Sequence, residues 1–515
     1  MVQASLGSTS AVHRWLLAAL SGALLALSFP QFGHPAFAWI ALVPLLVALG
    51  SARRMAVSRA FGLGLITGLV AFAGILYWIT GVMTTYGGLP WLTAVAVNAL
   101  LVAYLGLFPG LFAIVAVRGL DSLGAVLAAA AWVISEMGRG YLFVGFPWAF
   151  LGYSQVEVLP IVQVASLFGV YGLSFLIVLV NAVLAGAILV PSRSRFLAVG
   201  ATAGLILLTA GWGQWRLTRS ALTSAGEPVR VAMIQGNVPQ EEKRDPLQRG
   251  SILETYLSAS RAAAADGARL LIWPESATPL PFEEDQAAGE AIRTLVATLE
   301  VHLLFGSEAI ERGDDFRYYN AAFLVGPDGA PRGTYRKIRL VPFGEYVPLR
   351  RWLFFVDTLV PTVADFSPGT EAVTWSVDGH RVSTAICYEV IYPDLISAFV
   401  AGGSELLTTI TNDAWFGESS APHQHFAQAA MRAIEQGRYL VRAANTGISG
   451  AVDPYGRVLA RTNLFEHATV VVDVRWLRAR TVYGRTGDLF AYACGLLVLG
   501  VLGARVRWQR IVGRA

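Results

Sequence analysis

The chain reads STAICYEVIYP from Ser383 to Pro393. The run 372–386 that leads into this stretch is alternating and β-rich, which predicts a strand that ends just before Cys387. The acidic and proline residues that follow predict a turn away from the strand. A cysteine after an apolar run is most often an inert, buried side chain, so Cys387 needs chemically active neighbours before it indicates a reactive site.

Charged residues directly follow two further strand-like segments in the sequence. Glu275 lies in WPESA, directly after the strand-like run 269–272, and Lys337 lies in YRKIRLVPFGEYVP, residues 335–348. A carboxylate beside a thiol can act as its general base, and a fixed ammonium stabilises the oxyanion that forms when the thiolate attacks a carbonyl. Glu275, Lys337 and Cys387 together therefore predict an enzyme with a cysteine nucleophile.

This order of Glu, Lys and Cys resembles the nitrilase superfamily, the carbon–nitrogen hydrolases. From about residue 229, strand-like runs alternate with helical ones, which predicts a layered α/β domain. The resemblance specifies that domain as an αββα sandwich. It also implies supporting residues: Glu345 and Glu389, which we expect to position Lys337 or a loop, and Tyr388, whose backbone N–H is expected near the oxyanion.

The periodicity gives approximate bounds for these elements. The strand-like runs are 229–234, 269–272, 302–306, 321–325, 372–386, 406–410, 439–443, 450–452 and 469–474. The helical runs include 251–265, 289–299 and 423–437.

The composition indicates a membrane protein. Of the 515 residues 55% are hydrophobic and 14% are charged, with a mean hydropathy of +0.54, unlike an ordinary soluble enzyme. Eight apolar stretches approach or exceed the roughly 20 residues that a membrane crossing needs: 14–30, 36–50, 59–80, 90–117, 122–138, 159–191, 196–214 and 489–504. We therefore expect a seven-helix membrane domain (1–216), a catalytic domain (217–487), and a C-terminal helix with a basic tail (488–515).

Short-loop arginines predict the orientation. They concentrate at 53–59, at 118, at 193–195 and on the tail, whereas the opposite short loops hold almost none besides Arg139. Both termini are therefore expected in the cytoplasm and residues 217–487 outside it. The net charge of +4 then reflects topology, and no nucleic-acid partner is expected. Cys494 lies in the eighth stretch, so no disulfide with Cys387 is expected.

Two features of the catalytic region leave alternatives open. The apolar loops 352–361 and 415–417 either pack on the domain's own core or meet lipid, and the sequence favours neither. His423 and His425 have no matching ligands nearby, and Pro422 before them marks a helix start, so no metal is expected.

Motifs along nearly the whole chain resemble the apolipoprotein N-acyltransferase family. They lie at 146–155, 168–172, 235–239, 412–417, 422–425, 431–432 and 445–447. The resemblance implies a bacterial inner-membrane enzyme without a cofactor, with a periplasmic catalytic domain, and we expect it to be a monomer. It would transfer an acyl chain from a phospholipid, typically phosphatidylethanolamine, through a cysteine thioester to the N-terminal S-diacylglyceryl cysteine of a diacylated apolipoprotein.

One departure and two alternatives accompany this resemblance. The family often has a tryptophan in the loop where this chain reads Lys243, Arg244 and Asp245, so no lipid-contact role is carried onto Arg244. One alternative is a membrane-tethered amidase that hydrolyses small amides. The other is a transporter or receptor, for which Glu136 is the main intramembrane ionisable candidate. Glu136 lies near a predicted helix end, where snorkelling would explain it.

Overall fold

A computed structural model of the chain describes residues 10–51, 55–117, 122–143, 145–278, 281–313, 316–347 and 365–512. The predicted apolar loop 352–361 lies outside these ranges. Two compact units make up the chain. The first comprises Met1–Thr80, Pro90–Thr218 and Thr486–Ala515, and the second comprises Gly81–Leu89 and Arg219–Arg485.

The first unit is helical. Its main helices are Ala11–Ala26, Val43–Gly50, Val57–Ile75, Trp91–Ala116, Ser122–Tyr141, Ala165–Leu189, Arg193–Arg219 and Leu489–Val512, with short helical turns at Pro35–Trp39, Leu151–Gln155 and Leu159–Val162. Within the described ranges, four helical segments are long and apolar enough to cross a membrane: Val57–Ile75, Trp91–Ala116, Ala165–Leu189 and Arg193–Ser224. Shorter apolar helices accompany them, so the polytopic membrane fold is confirmed, while the count of eight crossings stays a prediction.

Glycines set how closely these helices pack. A Cβ on Gly64 would lie 2.2 Å from the carbonyl oxygen of Pro109, and one on Gly68 would lie 2.7 Å from the Cα of Gly106. Small residues of this kind let helix backbones approach each other in a membrane. The long stretch 159–191 is not one straight helix, because Gly169 has φ 66° and ψ −171°, a conformation that glycine adopts readily.

Glu136 lies inside the helical unit. Its side chain accepts hydrogen bonds from the Trp132 indole (2.9 Å) and from the backbone N–H of Leu151 (2.6 Å), and only 2% of the residue is exposed. Arg139, one turn further on, is also buried and donates to the carbonyl of Phe146. The expectation that Glu136 snorkels from a helix end is therefore wrong, since its carboxylate holds the start of the turn Leu151–Gln155.

The second unit contains two six-stranded sheets. The strands are β1 Pro228–Gln235, β2 Leu270–Ile272, β3 His302–Arg312, β4 Phe316–Val325, β5 Pro331–Arg336, β6 Trp375–Val377, β7 His380–Ile386, β8 Leu406–Thr411, β9 Leu440–Ala444, β10 Gly450–Val452, β11 Val458–Arg461 and β12 Ala468–Arg475. The first sheet has the order β12-β1-β2-β3-β4-β5 and the second β11-β10-β9-β8-β7-β6. In each sheet three consecutive strands, β1-β2-β3 or β7-β8-β9, run parallel.

Helices complete the layers of this unit. Residues of helices Arg249–Ala265 and Gln286–Leu299 share one hydrophobic core with the first sheet, in which Trp273 packs against Tyr256 at 5.1 Å between ring centroids. Helices Pro393–Ala401 and Ala421–Gln436 accompany the second sheet, and further short helices lie at Ala221–Ser224, Gln240–Arg244 and Val482–Thr486. The αββα sandwich is confirmed.

The predicted strand 372–386 is a hairpin rather than one strand. Strands β6 and β7 pair antiparallel, and Asp378 and Gly379 between them have φ of 50° and 85°. This Asp-Gly dipeptide is a strong signal for a two-residue hairpin turn. Cys387 nevertheless follows the end of β7 directly, as the sequence predicts.

Candidate active site

The three predicted catalytic residues lie together beyond the ends of their strands. Glu275 comes three residues after β2, Lys337 directly after β5, and Cys387 directly after β7. Their exposed fractions are 5%, 1% and 6%. Lys337 Nζ lies 3.3 Å from Glu275 Oε1, and the charges of both residues act on the Cys387 thiol. The arrangement therefore brings an acid–base group, a cation and a thiol into one buried site.

Glu275 is held as a carboxylate. Its Oε1 accepts from the Asn320 side chain at 2.7 Å, and its Oε2 accepts from the backbone N–H of Asn412 at 2.8 Å. Burial raises the pKa of Glu275, but the positive charge of Lys337 and these hydrogen bonds outweigh it and lower the pKa below the ordinary glutamate value. Glu275 is therefore ionised at neutral pH and able to accept a proton.

Lys337 is held between two carboxylates. Its Nζ donates to Glu345 Oε1 at 2.9 Å in addition to the contact with Glu275. Burial lowers the pKa of Lys337, but the negative charges of Glu275 and Glu345 reverse this effect and raise the pKa. Glu345 is fixed in turn by Asn320 (2.7 Å) and by the backbone N–H of Val341 (2.7 Å). The ammonium is therefore permanent and confined to one position.

Cys387 is the first residue of a 3-10 turn, Cys387–Ile391, and has φ +52°. Positive φ is uncommon for a residue with a Cβ and often accompanies a functional site. Burial, and next the negative charge of Glu275, raise the pKa of the Cys387 thiol, although Lys337 acts in the opposite direction. The sulfur therefore keeps its proton at neutral pH and needs a base when it attacks.

Glu389 ties the cysteine turn to the lysine segment. Its carboxylate accepts from the backbone N–H groups of Ile386 (2.7 Å), Ile338 (2.7 Å) and Arg339 (3.1 Å), and from the Tyr335 hydroxyl (2.7 Å). Burial raises the pKa of Glu389, while these four donors favour the ionised form. Glu389 thus joins the residue before Cys387 to the two residues after Lys337.

The Tyr388 side chain packs within the same turn. Its ring meets Tyr392 edge-on at 5.3 Å, and only 6% of the residue is exposed. Burial raises the pKa of its hydroxyl well above the ordinary tyrosine value, so the side chain stays neutral.

Sequence reasoning assigned no role to several residues of the site. Asn320, in the interior of β4, binds both Glu275 and Glu345, and only strand pairing brings it there. Lys243 donates to the carbonyl of Ser276 at 3.0 Å, and burial lowers its pKa to about 8. Lys243 is therefore a second cation beside Glu275. Arg244 belongs to the same short helix, Gln240–Arg244, and its side chain lies outside the description.

The aromatic loop that follows β8 contacts a segment from early in the chain. The Tyr86 hydroxyl donates to the carbonyl of Ala414 at 2.8 Å, and its ring meets Trp415 edge-on at 4.9 Å. Trp415, Phe416 and Gly417 are half-buried. This loop therefore packs partly on its own unit and keeps some apolar surface exposed.

His425 lies in the second helical layer and contacts the cysteine segment. Its Nε2 is 3.1 Å from the carbonyl oxygen of Cys387, and its Nδ1 is 3.1 Å from Asp413 Oδ1. Across the described ranges, no group of three His, Cys, Asp or Glu residues could hold a metal ion.

Comparisons with known proteins match both parts of the chain. Residues 21–183 match the family described as the apolipoprotein N-acyltransferase N-terminal domain, and residues 230–482 match the carbon–nitrogen hydrolase family. A solved amidase of the nitrilase superfamily from Nesterenkonia AN1 aligns with 53% of this chain and 98% of its own, at 22% identity and a TM-score of 0.40.

Curated relatives cover almost the whole chain. The apolipoprotein N-acyltransferase of Geobacter metallireducens is 44% identical over 502 residues, 95% of each chain. That of Methylococcus capsulatus is 36% identical over 503 residues, 96% of each chain. On this full-length similarity, the chain belongs to the apolipoprotein N-acyltransferase family.

Proposed function

We propose that this enzyme transfers an acyl chain from a phospholipid, by way of a thioester on Cys387, to the N-terminal S-diacylglyceryl cysteine of apolipoproteins. The buried group of Glu275, Lys337 and Cys387 carries the proposal, because it combines a base, an oxyanion stabiliser and a nucleophile. The names of the full-length relatives supply the acceptor class. Phosphatidylethanolamine is the donor that the family resemblance implies.

In the first half-reaction Glu275 takes the proton of the Cys387 thiol as the sulfur attacks the ester carbonyl. Lys337 and a backbone N–H at Tyr388 stabilise the negative oxygen of the tetrahedral intermediate. The ester C–O bond then breaks, Glu275 returns its proton to the departing lysophospholipid oxygen, and the acyl group stays on sulfur. A charged Lys337 serves this step better than a neutral one, since it stabilises both the thiolate and the oxyanion.

In the second half-reaction the α-amino group of the lipoprotein attacks the thioester. Glu275 accepts the proton that the amine loses, the C–S bond breaks, and the proton passes to the Cys387 sulfur, which regenerates the thiol. Glu345 and Glu389 support both half-reactions by holding Lys337 and the cysteine turn, without transferring protons.

Burial of the site favours transfer over hydrolysis. A thioester exposed to water would be lost, and the site residues have exposed fractions of only 1–6%. The alternative of a membrane-tethered amidase uses water as the acceptor and is not favoured by the full-length relatives.

We also propose the location of the reaction. The protein lies in the bacterial inner membrane, with the catalytic domain (217–487) in the periplasm. The membrane domain (1–216) begins in the cytoplasm and the C-terminal segment (488–515) ends there, so both termini are cytoplasmic. The distribution of arginines in short loops supports this orientation. The site residues all come from one chain, so a monomer is sufficient for activity.

Intact-protein mass spectrometry tests the thioester. Purified enzyme is incubated with phosphatidylethanolamine and no acceptor, and wild type is compared with Cys387→Ala. We expect a mass gain of one acyl group that hydroxylamine removes and that the variant lacks. If neither protein carries an adduct while wild type still acylates lipoprotein, the two-step mechanism is wrong.

A further inference from the structure

A buried polar cluster lies behind the nucleophile and has no part in the reaction described above. It consists of Thr411, Asp413, His425 and Arg442, which are 0–1% exposed. Asp413 follows β8, His425 lies in helix Ala421–Gln436, and Arg442 lies in β9. Because buried polar groups are costly unless they satisfy each other, such a cluster needs a structural or functional reason.

The hydrogen bonds of Asp413 hold the cluster together. Arg442 donates to Asp413 Oδ2 at 2.7 Å, and the Thr411 hydroxyl donates to Oδ1 at 2.8 Å. Arg442 is itself fixed through Nε, which donates to the carbonyl of Ile448 at 3.1 Å. Burial raises the pKa of Asp413, but the positive charge of Arg442, together with the hydrogen bond from Thr411, outweighs it and holds the pKa well below its usual range. Asp413 is therefore a permanent anion.

These neighbours determine where His425 carries its proton. Burial, and next the positive charge of Arg442, lower the pKa of His425, so the ring is neutral and has one N–H. Its Nε2 faces the carbonyl of Cys387 at 3.1 Å, and a carbonyl can only accept. The proton is therefore on Nε2, and Nδ1 accepts from Nη2 of Arg442, 3.0 Å away. Asp413 Oδ1, which lies 3.1 Å from Nδ1, accepts its hydrogen bond from Thr411 instead.

The bond to the Cys387 carbonyl fixes a peptide plane. The peptide group is planar and trans, so the C=O of Cys387 and the N–H of Tyr388 point in opposite directions. Within a helical turn the carbonyls point towards its C-terminal end and the N–H groups towards its N-terminal end. Cys387 is the first residue of the turn Cys387–Ile391 and directly follows strand β7. The N–H groups of the turn therefore point back towards the end that carries Cys387.

We propose that His425 is a positioning residue, which holds the Cys387 carbonyl so that the Tyr388 N–H faces the oxyanion that forms on the substrate ester when the Cys387 sulfur attacks it. The inference rests on the proposed function, because it concerns the oxyanion of that same acylation step. A second effect follows from the same bond: it stabilises the uncommon φ of +52° at Cys387. The motif 422–425, to which the sequence alone assigned no chemistry, thereby gains a role.

A matched pair of variants separates this role from simple packing. His425→Gln and His425→Met introduce unbranched side chains of similar length, of which only glutamine offers an N–H at the position of Nε2. Two rates are measured on the full chain in detergent: acylation of Cys387 by phosphatidylethanolamine, which passes through an oxyanion, and alkylation of Cys387 by iodoacetamide, which does not. Thermal unfolding of each variant is recorded beside them.

We expect His425→Met to slow acylation by about 10²-fold, the size of effect seen when one oxyanion donor is lost. Its alkylation rate should stay within about threefold of wild type, and His425→Gln should recover most of the lost acylation. Equal acylation by His425→Met and wild type would overturn the inference, as would an equal fall in both rates. If the methionine variant does not fold, His425→Leu provides the same comparison. Failure of wild type itself to form the thioester would instead contradict the proposed function.

Discussion

At the scale of single residues, the site keeps its proton on sulfur and its negative charge on Glu275. The pKa of Glu275 is lowered and that of Cys387 is raised, so the proton moves from the thiol to the Glu275 carboxylate, which then becomes neutral, only during attack. This order protects a thiol from oxidation and alkylation in the resting enzyme, since the thiolate is the reactive form. Reactivity is then confined to the moment when substrate occupies the site.

The pH dependence of alkylation tests this distribution of protons. An ordinary thiol titrates at about pH 8.5, and its alkylation rate rises with pH up to that value. Because the folded pKa of Cys387 is raised, we expect slow alkylation of wild type by iodoacetamide, with no plateau below about pH 9. Glu275→Gln removes the negative charge that opposes thiolate formation, so its alkylation should rise at lower pH than in wild type, while its acylation falls.

The acylation rate at acidic pH tests the lowered pKa of Glu275. Because the pKa of Glu275 is lowered, the base function proposed for it is present above the ordinary glutamate value of about 4.3 and is lost only below that value. The acylation rate of the wild-type enzyme should therefore fall only below about pH 4.3. A wild-type alkylation curve that levels off near pH 8.5 would contradict the raised pKa of Cys387.

At the scale of elements, the strands β2 and β3 fix the position of Glu275. Gly306 in β3 accepts from the backbone N–H of Ala277 at 3.0 Å and donates to the carbonyl of Pro274 at 3.1 Å. A Cβ on Gly306 would lie 2.6 Å from the Cα of Glu275 and 2.7 Å from the backbone nitrogen of Ser276. Both are backbone atoms, so the segment that carries Glu275 would have to move.

We therefore expect Gly306→Ala to slow acylation in protein that still folds. Displacement of a catalytic group by a fraction of an ångström to about 1 Å lowers rates by up to about 10²-fold, whereas overpacking costs about 1–3 kcal/mol of unfolding free energy. Gly250→Ala is the control, because nothing lies within 4 Å of its added Cβ, in helix Arg249–Ala265. Acylation rate and thermal unfolding are measured on both. If Gly306→Ala is acylated at the wild-type rate, the strand tolerates the methyl group without moving Glu275, and the prediction is wrong.

The elements also show what the sequence could and could not predict. The sequence singles out Glu275, Lys337 and Cys387 by their chemistry and by their order in the chain, which resembles that of the nitrilase superfamily. Glu275 and Cys387 also follow strands that the periodicity predicts. Strand β5 was missed, since its residues Pro331–Arg336 form a short, polar edge strand without an alternating apolar pattern. Asn320 and His425 reach the site through strand pairing and helix packing between residues distant in sequence, and no local pattern reports such contacts.

At the scale of the whole molecule, the chain alternates between membrane and catalytic segments. The charge pattern predicts that the loop near residue 194 is cytoplasmic and that residues 217–487 are periplasmic. The chain has two cysteines, Cys387 and Cys494, both free and buried, so a newly introduced surface cysteine would dominate labelling by a polar reagent.

This low background makes the orientation directly testable. Ser376 is exposed in strand β6 and Ser194 is exposed in helix Arg193–Arg219. With Cys387→Ser as background, Ser376→Cys should react with a membrane-impermeant maleimide in intact spheroplasts, because it lies outside the inner membrane. Ser194→Cys should react only after the membrane is permeabilised, because it faces the cytoplasm. The reverse pattern would place the catalytic domain in the cytoplasm, on the opposite side of the membrane from the one that the short-loop arginines predict.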